Sequence, residues 1–379
     1  MPKKKRAIFI GSGPSCGIGL PSVNELCKQA MGTNFLGQYP NATLDNSATD
    51  EAITLQDTIK RTFIYFFNRA TLDQINFEEA LTVLDEAGIG PEISGISRGN
   101  LSGRTEYHFG LTELKNQLLL AGMRVLWNKI YSLREAANNN EDAGRAFKTW
   151  KNAYAKINVS SSEYDDVLIT TNYDVIIENA LLRRYFYSNF ISERTLILKL
   201  HGSMNWYKLE PEVFLDGELE SGKNVRLDYR DEEVLDYVDD SRIVAIFPLE
   251  ELFNSKPIII TPQISKNYSI PLFKRIWWLA TKVLHDVEEL VILGYSFSSN
   301  DFYVKKLIEI AINETVDSKI TKIIHFDRDK NIHELFEGNP DKKIVPIIRK
   351  PGVKYIPRII DFSKQCPNFE EIEGPYLQI

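Results

Sequence analysis

Four short clusters of glycine, hydroxyl, amide, carboxylate and imidazole residues recur in this chain, each directly after an apolar run. Gly11-Ser12-Gly13-Pro14-Ser15, with Gly19-Leu20-Pro21 beyond it, follows Ala7–Ile10, and Thr171-Asn172-Tyr173-Asp174 follows Val167–Thr170. His201-Gly202 closes the run Leu196–Leu200, and Gly294-Tyr295-Ser296-Phe297 follows Leu290–Leu293. Gly11 and Gly13 let a backbone approach an anion closely, and the start of the next helix adds partial positive charge, so the first cluster reads as a phosphate cradle. Asn172 can donate and accept, which suits a ribose hydroxyl or a water. Asp174 can cap the helix that follows it. His201 is a base suited to neutral pH. Gly294 and Ser296 suit a phosphate or a ribose. Asp301, at a helix start, reads as an N-terminal helix charge or as a site group. Asp327, ending the run Ile320–Phe326, can take ribose hydroxyls. The glycine spacing is not G-x-G-x-x-G, because Cys16 stands at the last position, and no acid closes a second strand about 20 residues on, so the dehydrogenase fingerprint is absent.

The elements that must carry these clusters alternate. Ala7–Ile10 reads as a strand, Gly11–Gly19 as a loop, and Pro21–Met31 as a helix with a Ser22/Glu25 capping box. The stretch 33–48 is polar and turn-rich, 49–88 reads as two helices, and 89–110 as a long glycine-bearing loop. Leu111–Ala137 and 141–157 read as helices joined by Asn138-Asn139-Asn140. From Asp166 the pattern is strand Val167–Thr170, helix Val175–Tyr187, strand Thr195–Leu200, and a mixed acidic stretch over 205–250 with a small β excursion. It continues as strand Pro257–Ile260, helix Leu272–Val287, strand Leu290–Leu293, helix Asn300–Asn313 and strand Ile320–Phe326. The expected fold is α/β: a Rossmann-like, mostly parallel sheet with helices on both faces, plus an inserted helical subdomain. The expected domains are 1–44 with 159–379 for the sheet and 45–158 for the insert. All four clusters then fall at the C-terminal edge of one sheet, where such folds bind ligands.

Composition narrows the classes. The 379 residues are 43% hydrophobic and 26% charged with net charge −7, so the chain as a whole is not a polyanion binder. Lys3-Lys4-Lys5-Arg6 is its dense basic run, expected as a solvated arm, with a nucleic-acid contact as the alternative. No secretory signal and no apolar stretch of about 18 residues is seen, so neither export nor a membrane helix is expected. The three cysteines, Cys16, Cys27 and Cys366, form no C-x-x-C pair. This argues for a reducing cytoplasm and against a zinc knuckle, and no metal is expected.

The clusters together resemble the sirtuin superfamily, which carries G-A-G-x-S-x-x-x-G-I-P, T-Q-N-x-D, H-G and G-T-S in this order. Here the first motif is Gly11-Ser12-Gly13-Pro14-Ser15-Cys16-Gly17-Ile18-Gly19-Leu20-Pro21 and the others are Thr171–Asp174, His201-Gly202 and Gly294–Ser296. The resemblance covers residues 7–30 and 165–330. The family's zinc-holding C-x-x-C pairs are absent, and Ser22-Val23-Asn24 replaces its Asp/Thr-Phe-Arg. The wording T-x-N-Y-D and G-Y-S-F is similar to bacterial sirtuin-like proteins of anti-phage defence. The resemblance implies hydrolysis of NAD+ to nicotinamide and ADP-ribose. Asn172 and His201 would be catalytic, and Gly11, Ser12, Gly13, Ser15, Thr171, Asp174, Gly294, Ser296 and Asp327 would bind the dinucleotide. It also implies a homo-oligomeric ring and a HerA-type hexameric ATPase as partner. A deacylase or ADP-ribosyltransferase, and a sensor that binds NAD+ or ADP-ribose without turnover, are the alternatives.

Overall fold

The computed structural model describes residues 3–32, 77–78, 80–81, 111–157, 164–181, 185–187, 195–209, 242–245, 257–259, 271–297, 301–314, 318–372 and 376–379. Apart from helical pieces at 77–78 and 80–81, the expected helices over 49–88 and the loop over 89–110 lie outside these residues. The chain divides into two units. One comprises Met1–Leu20, Lys129–Glu251 and Pro257–Ile379, and the other Pro21–Asn128 and Leu252–Lys256. Among the described residues no helix is long and apolar enough to cross a membrane.

The elements of the first half are β1 (Lys4–Ile10), α1 (Ser12–Ile18), α2 (Val23–Gly32), α3 (Leu111–Asn138) and α4 (Asp142–Ala155). Then come β2 (Tyr164–Thr170), α5 (Ile176–Leu181), β3 (Tyr185–Phe186), β4 (Thr195–Lys199), β5 (Gly202–Leu209), β6 (Arg242–Ala245) and β7 (Pro257–Ile259). The remainder is α6 (Pro271–Asp286), β8 (Glu289–Leu293), α7 (Phe302–Asn313), β9 (Lys322–Asp327), α8 (Lys330–Glu337), β10 (Lys354–Ile359), β11 (Gln365–Cys366) and β12 (Leu377–Gln378).

Seven strands form one parallel sheet in the order β10-β9-β8-β1-β2-β4-β3. Leaving out the two-residue edge β3, this is the doubly wound dinucleotide-fold order, with its reversal between β1 and β8. Ala7–Ile10, Leu196–Leu198 and Leu290–Leu293 are buried on successive residues, as strands covered on both faces must be. The acidic stretch after His201 contributes β5, which pairs antiparallel with β6 and β7 in a separate three-stranded sheet. Pro257–Ile259 therefore belongs to that small sheet. The Asn138–Asn140 turn stands where expected, with Asn140 at φ 56°. It brings α4 so close to α3 that a Cβ on Gly144 would lie 2.0 Å from the Ala137 nitrogen.

Three expectations are corrected and one strand is added. Gly11–Gly19 is not a loop but the short helix α1. Pro14 falls in its first turn, where a missing N–H costs nothing. Gly19 at φ 106° ends it, while the Gly19 and Leu20 amides donate to the Cys16 and Ser15 carbonyls. The helix read over Val175–Tyr187 is helical at Ile176–Leu181 but does not reach Tyr187, because the aromatic pair Tyr185-Phe186 joins the sheet as β3. Lys354–Ile359 is a strand the alternation did not reveal, and Pro357 confines it to the edge position it holds. The basic run is solvated only in part: Lys3, Lys4 and Lys5 are exposed as expected, but Lys4 already opens β1, Lys5 pairs with Asp286, and Arg6 is buried.

Arg6 ties the lower end of the sheet together. Its Nε and Nη2 donate to the two Asp166 carboxylate oxygens at 2.6 and 2.9 Å, and Nη2 also donates to the Phe369 carbonyl at 2.9 Å. Glu289 of β8 lies 3.7 Å from Nη1 and also pairs with Lys322 of β9. Burial lifts the Asp166 carboxyl above its ordinary value, against the pull of Arg6. Replacing Arg6 with Met takes the guanidinium away from the buried Asp166 and Glu289 carboxylates, Glu289 keeping Lys322, with an expected cost of about 3–5 kcal/mol in urea unfolding.

A second buried polar group lies at β9, β10 and α8. Nδ1 of His325 and Nδ1 of His333 both meet the Tyr355 hydroxyl, at 3.1 and 2.7 Å. Burial holds His325 down at about 3 and lowers His333 from its ordinary value. Both are neutral in the fold but take up protons below about pH 6.5 when unfolded. Their contribution is therefore complete above that pH and lost as pH falls toward the folded value, with a limiting slope of about 1.4 kcal/mol per pH unit for each proton. Urea midpoints at pH 7.5 and 5.5 should separate more in the native protein than in His325→Gln.

Candidate functional site

The strand order reverses between β1 and β8, and the residues after each strand meet there. The Gly11 amide donates to the Leu293 carbonyl and the Gly13 amide to the Gly294 carbonyl, both at 2.9 Å. A Cβ on Gly11 would lie 2.5 Å from the Gly294 carbonyl oxygen, and one on Gly13 would lie 2.6 Å from the Gly294 Cα. Gly294, at φ 55°, donates its own amide to the Phe326 carbonyl at 2.8 Å. The glycines are thus required by backbone packing against backbone. The N–H groups of Gly11 and Gly13 are spent inside the protein, so an anion at this edge must use other donors. Ser12 and Ser296 are exposed there and are the nearest candidates in sequence.

Asn172 stands at the end of β2, half-buried. Its Nδ2 donates to the Gly11 carbonyl at 2.9 Å and to the Ser15 hydroxyl at 3.1 Å. Ser15 in turn donates to Asp174 Oδ2 at 2.7 Å, and Asp174 Oδ1 accepts the Ile176 amide at 3.1 Å. Asp174 is therefore the cap of α5 and the anchor of Ser15 at once. With both Nδ2 bonds made within the protein, Asn172 meets an incoming hydroxyl or water through Oδ1, as the acceptor. Beneath it Lys199 is fully buried, bonded to the Asp174 carbonyl and 2.9 Å from Glu178 Oε1, which also accepts from Tyr187 at 3.1 Å.

His201 sits one residue past Leu200, whose amide donates to the Thr170 carbonyl at 2.9 Å, so it and Asn172 occupy neighbouring strand ends. The ring is 1% exposed. Its Nε2 lies 3.3 Å from Asp301 Oδ1, and Asp301 Oδ2 accepts from the Tyr295 hydroxyl at 2.6 Å. Thr171 is half-buried just past β2, its amide donating to the Ile10 carbonyl at 3.4 Å. Asp327 is buried one strand beyond β8, its Oδ1 accepting the Asp329 amide at 2.9 Å. Burial raises its carboxyl above the ordinary value.

The structure brings together Gly11, Gly13, Ser15, Asn172, Asp174 and Gly294 by direct contact. It sets Ser12, Thr171, His201, Ser296 and Asp327 at strand ends or loop positions along the same edge. Two participants were not singled out from sequence for what they do. Asp301 partners His201, and Phe362 packs its ring on the glycine seam, 2.9 Å from where a Cβ on Gly13 or Gly294 would lie. An aspartate eight residues after Leu293 was visible, but nothing in the sequence links it to His201. Among the described residues no cluster of three or more His, Cys, Asp and Glu side chains forms a metal set.

No protein-family model matches this chain, and no curated protein matches it. Solved structures of Sir2 proteins align over most of it. A Sir2 protein bound to a propionylated peptide covers 95% of this chain and 90% of its own at 10% identity, with TM-score 0.30. A Sir2 protein bound to an acetylated peptide aligns at 10% identity, over 95% and 90%, with TM-score 0.30. A Sir2–p53 peptide–NAD+ complex aligns at 11% identity, over 95% and 90%, with TM-score 0.28. The class follows from this chain's own strand order: a doubly wound α/β protein whose strand order reverses between β1 and β8, where Gly11–Gly13 and Gly294–Ser296 meet.

Gly13→Ala should test the seam, because no flexible side chain can yield to a Cβ that meets the Gly294 backbone. A loss of about 1–3 kcal/mol in thermal or urea unfolding is expected.

Proposed function

We propose that this chain is an NAD+ glycohydrolase that cleaves NAD+ to nicotinamide and ADP-ribose. The observation that carries the reading is the placement of Asn172 and His201 on neighbouring strand ends beside the switch-point seam. Ser12 and Ser296 supply exposed donors for the pyrophosphate, with Gly11, Gly13 and Gly294 shaping the edge. Asn172 accepts from a hydroxyl of the nicotinamide ribose or from the attacking water, held in place by Ser15 and Asp174. Thr171 borders the same strand end, and Asp327 is suited to the adenosine ribose. Water adds at the anomeric carbon as the C–N bond breaks. The bonding pair returns to the pyridinium nitrogen, so nicotinamide leaves neutral without an acid. The proton of the water passes to His201. Burial of the ring directs that proton transfer to a bound group rather than to bulk solvent. The remainder of the catalysis is positioning and stabilisation of an oxocarbenium-like transition state. No metal takes part.

The motif resemblance extends the proposal to an anti-phage effector of the bacterial cytoplasm that depletes NAD+, assembled as a homo-oligomeric ring with a HerA-type ATPase. With Arg6 buried and Lys5 paired, a DNA contact through the N-terminal run would fall mainly to Lys3 and Lys4.

Purified protein, alone and with its ATPase, should consume NAD+ and release free ADP-ribose. Asn172→Ala and His201→Ala should each lower turnover by about 100-fold or more. NAD+ bound without turnover in any state would replace the enzyme with a sensor. Label from NAD+ recovered on protein would replace hydrolysis with transfer.

A further inference from the structure

Asp301 occupies the N-cap position of α7 but caps nothing: its side chain makes no bond to the helix amides. An aspartate at this position ordinarily stabilises the helix by accepting from its first-turn amides, and here that contact is forgone. The carboxylate is instead turned to Tyr295, at 2.6 Å, and to Nε2 of His201, at 3.3 Å. All three groups are buried, at 5%, 6% and 1% exposure for Asp301, Tyr295 and His201. A carboxylate in such surroundings is retained only with hydrogen-bonding partners. The contact also spans the sheet. Asp301 follows β8 and His201 follows β4, and β1 and β2, which bear Gly11 and Asn172, lie between them in the sheet order.

We propose that Asp301 is a positioning residue for His201, and that Tyr295 holds its carboxylate in place. The inference rests on the reading of His201 as the base. By accepting a hydrogen bond from Nε2–H, Asp301 selects the tautomer whose basic lone pair is on Nδ1, the atom that takes the proton from water. When that proton arrives the imidazole becomes an imidazolium, and the adjacent carboxylate stabilises the charge without itself taking a proton. The same logic operates wherever a buried carboxylate orients a catalytic imidazole, and a neutral amide in its place favours the wrong tautomer. Tyr295 is positioned to do the holding: its ring packs edge-on against Phe9 and Phe297, with centroids 5.0 and 4.7 Å apart, which fixes where its hydroxyl points.

The test combines kinetics with nitrogen-15 NMR of the imidazole. In the wild type the His201 proton should reside on Nε2. Asp301→Asn should move it toward Nδ1 and lower kcat by about 10²–10⁴-fold, while KM for NAD+ changes by less than about threefold. In a His201→Ala background Asp301→Asn should cost nothing further. Tyr295→Phe, which keeps the packing, should lower kcat by about tenfold and serves if Asp301→Asn does not fold. A wild-type proton on Nδ1, full turnover in Asp301→Asn, or an equal loss in the His201→Ala background would each overturn the proposal. If the wild type leaves NAD+ intact, the glycohydrolase reading fails on its own, and the nitrogen shifts still decide whether Asp301 sets the tautomer.

Discussion

The backbone contact between the end of β1 and the end of β8 is the constraint on which the rest of the molecule turns. Gly11, Gly13 and Gly294 approach until no Cβ fits between them, and two amide–carbonyl bonds of 2.9 Å lock the approach. This contact joins the two halves of a doubly wound sheet at the point where its strand order reverses. It also decides which atoms face a ligand. Amides that a phosphate cradle would present are consumed by the seam, and Ser12 and Ser296 are left at its exposed rim. Phe362, arriving after β10, packs on the same glycines and ties the segment beyond that edge strand to the ends of β1 and β8.

Around this seam several polar side chains are organised as a chain in which one holds the next. Asn172 is held by Ser15, Ser15 by Asp174, and Asp174 through its carbonyl by the buried Lys199–Glu178 pair. Such pairs add little net stability but are costly to break, so they act as fixed points for the groups that touch them. The Arg6–Asp166 pair does the same at the opposite end of the sheet, where it also fastens Phe369 near the end of the chain. A single chain of buried contacts thus connects the placement of one amide at the site to the packing of the sheet beneath it.

The alternation of apolar runs with glycine and polar clusters made the parallel sheet legible, because strands buried on both faces must be apolar throughout. Ala7–Ile10, Val167–Thr170 and Leu290–Leu293 are instances. Lys354–Ile359 escaped because an edge strand needs neither an unbroken apolar run nor a proline-free one. The nature of α1 escaped because four glycines and a proline signal a loop locally, while packing on β8 and Phe362 stabilises a helix that propensity disfavours. The placement of Asn172 and His201 at neighbouring strand ends was legible from their position after apolar runs. The Asp301–His201 contact was not, since it joins residues a hundred positions apart and depends on how β8 sits relative to β4. Arg6 shows the opposite error: a basic run looks solvated until its partners on β2 and β8 are known.

The central claim is that the crevice between the ends of β1 and β8 holds the dinucleotide, and the most direct measurement is a crystal structure of the protein with ADP-ribose. The account predicts the pyrophosphate against Ser12 and Ser296, with the distal ribose beside Asn172. ADP-ribose bound at another edge of the sheet, with Asn172 and His201 untouched, would contradict it.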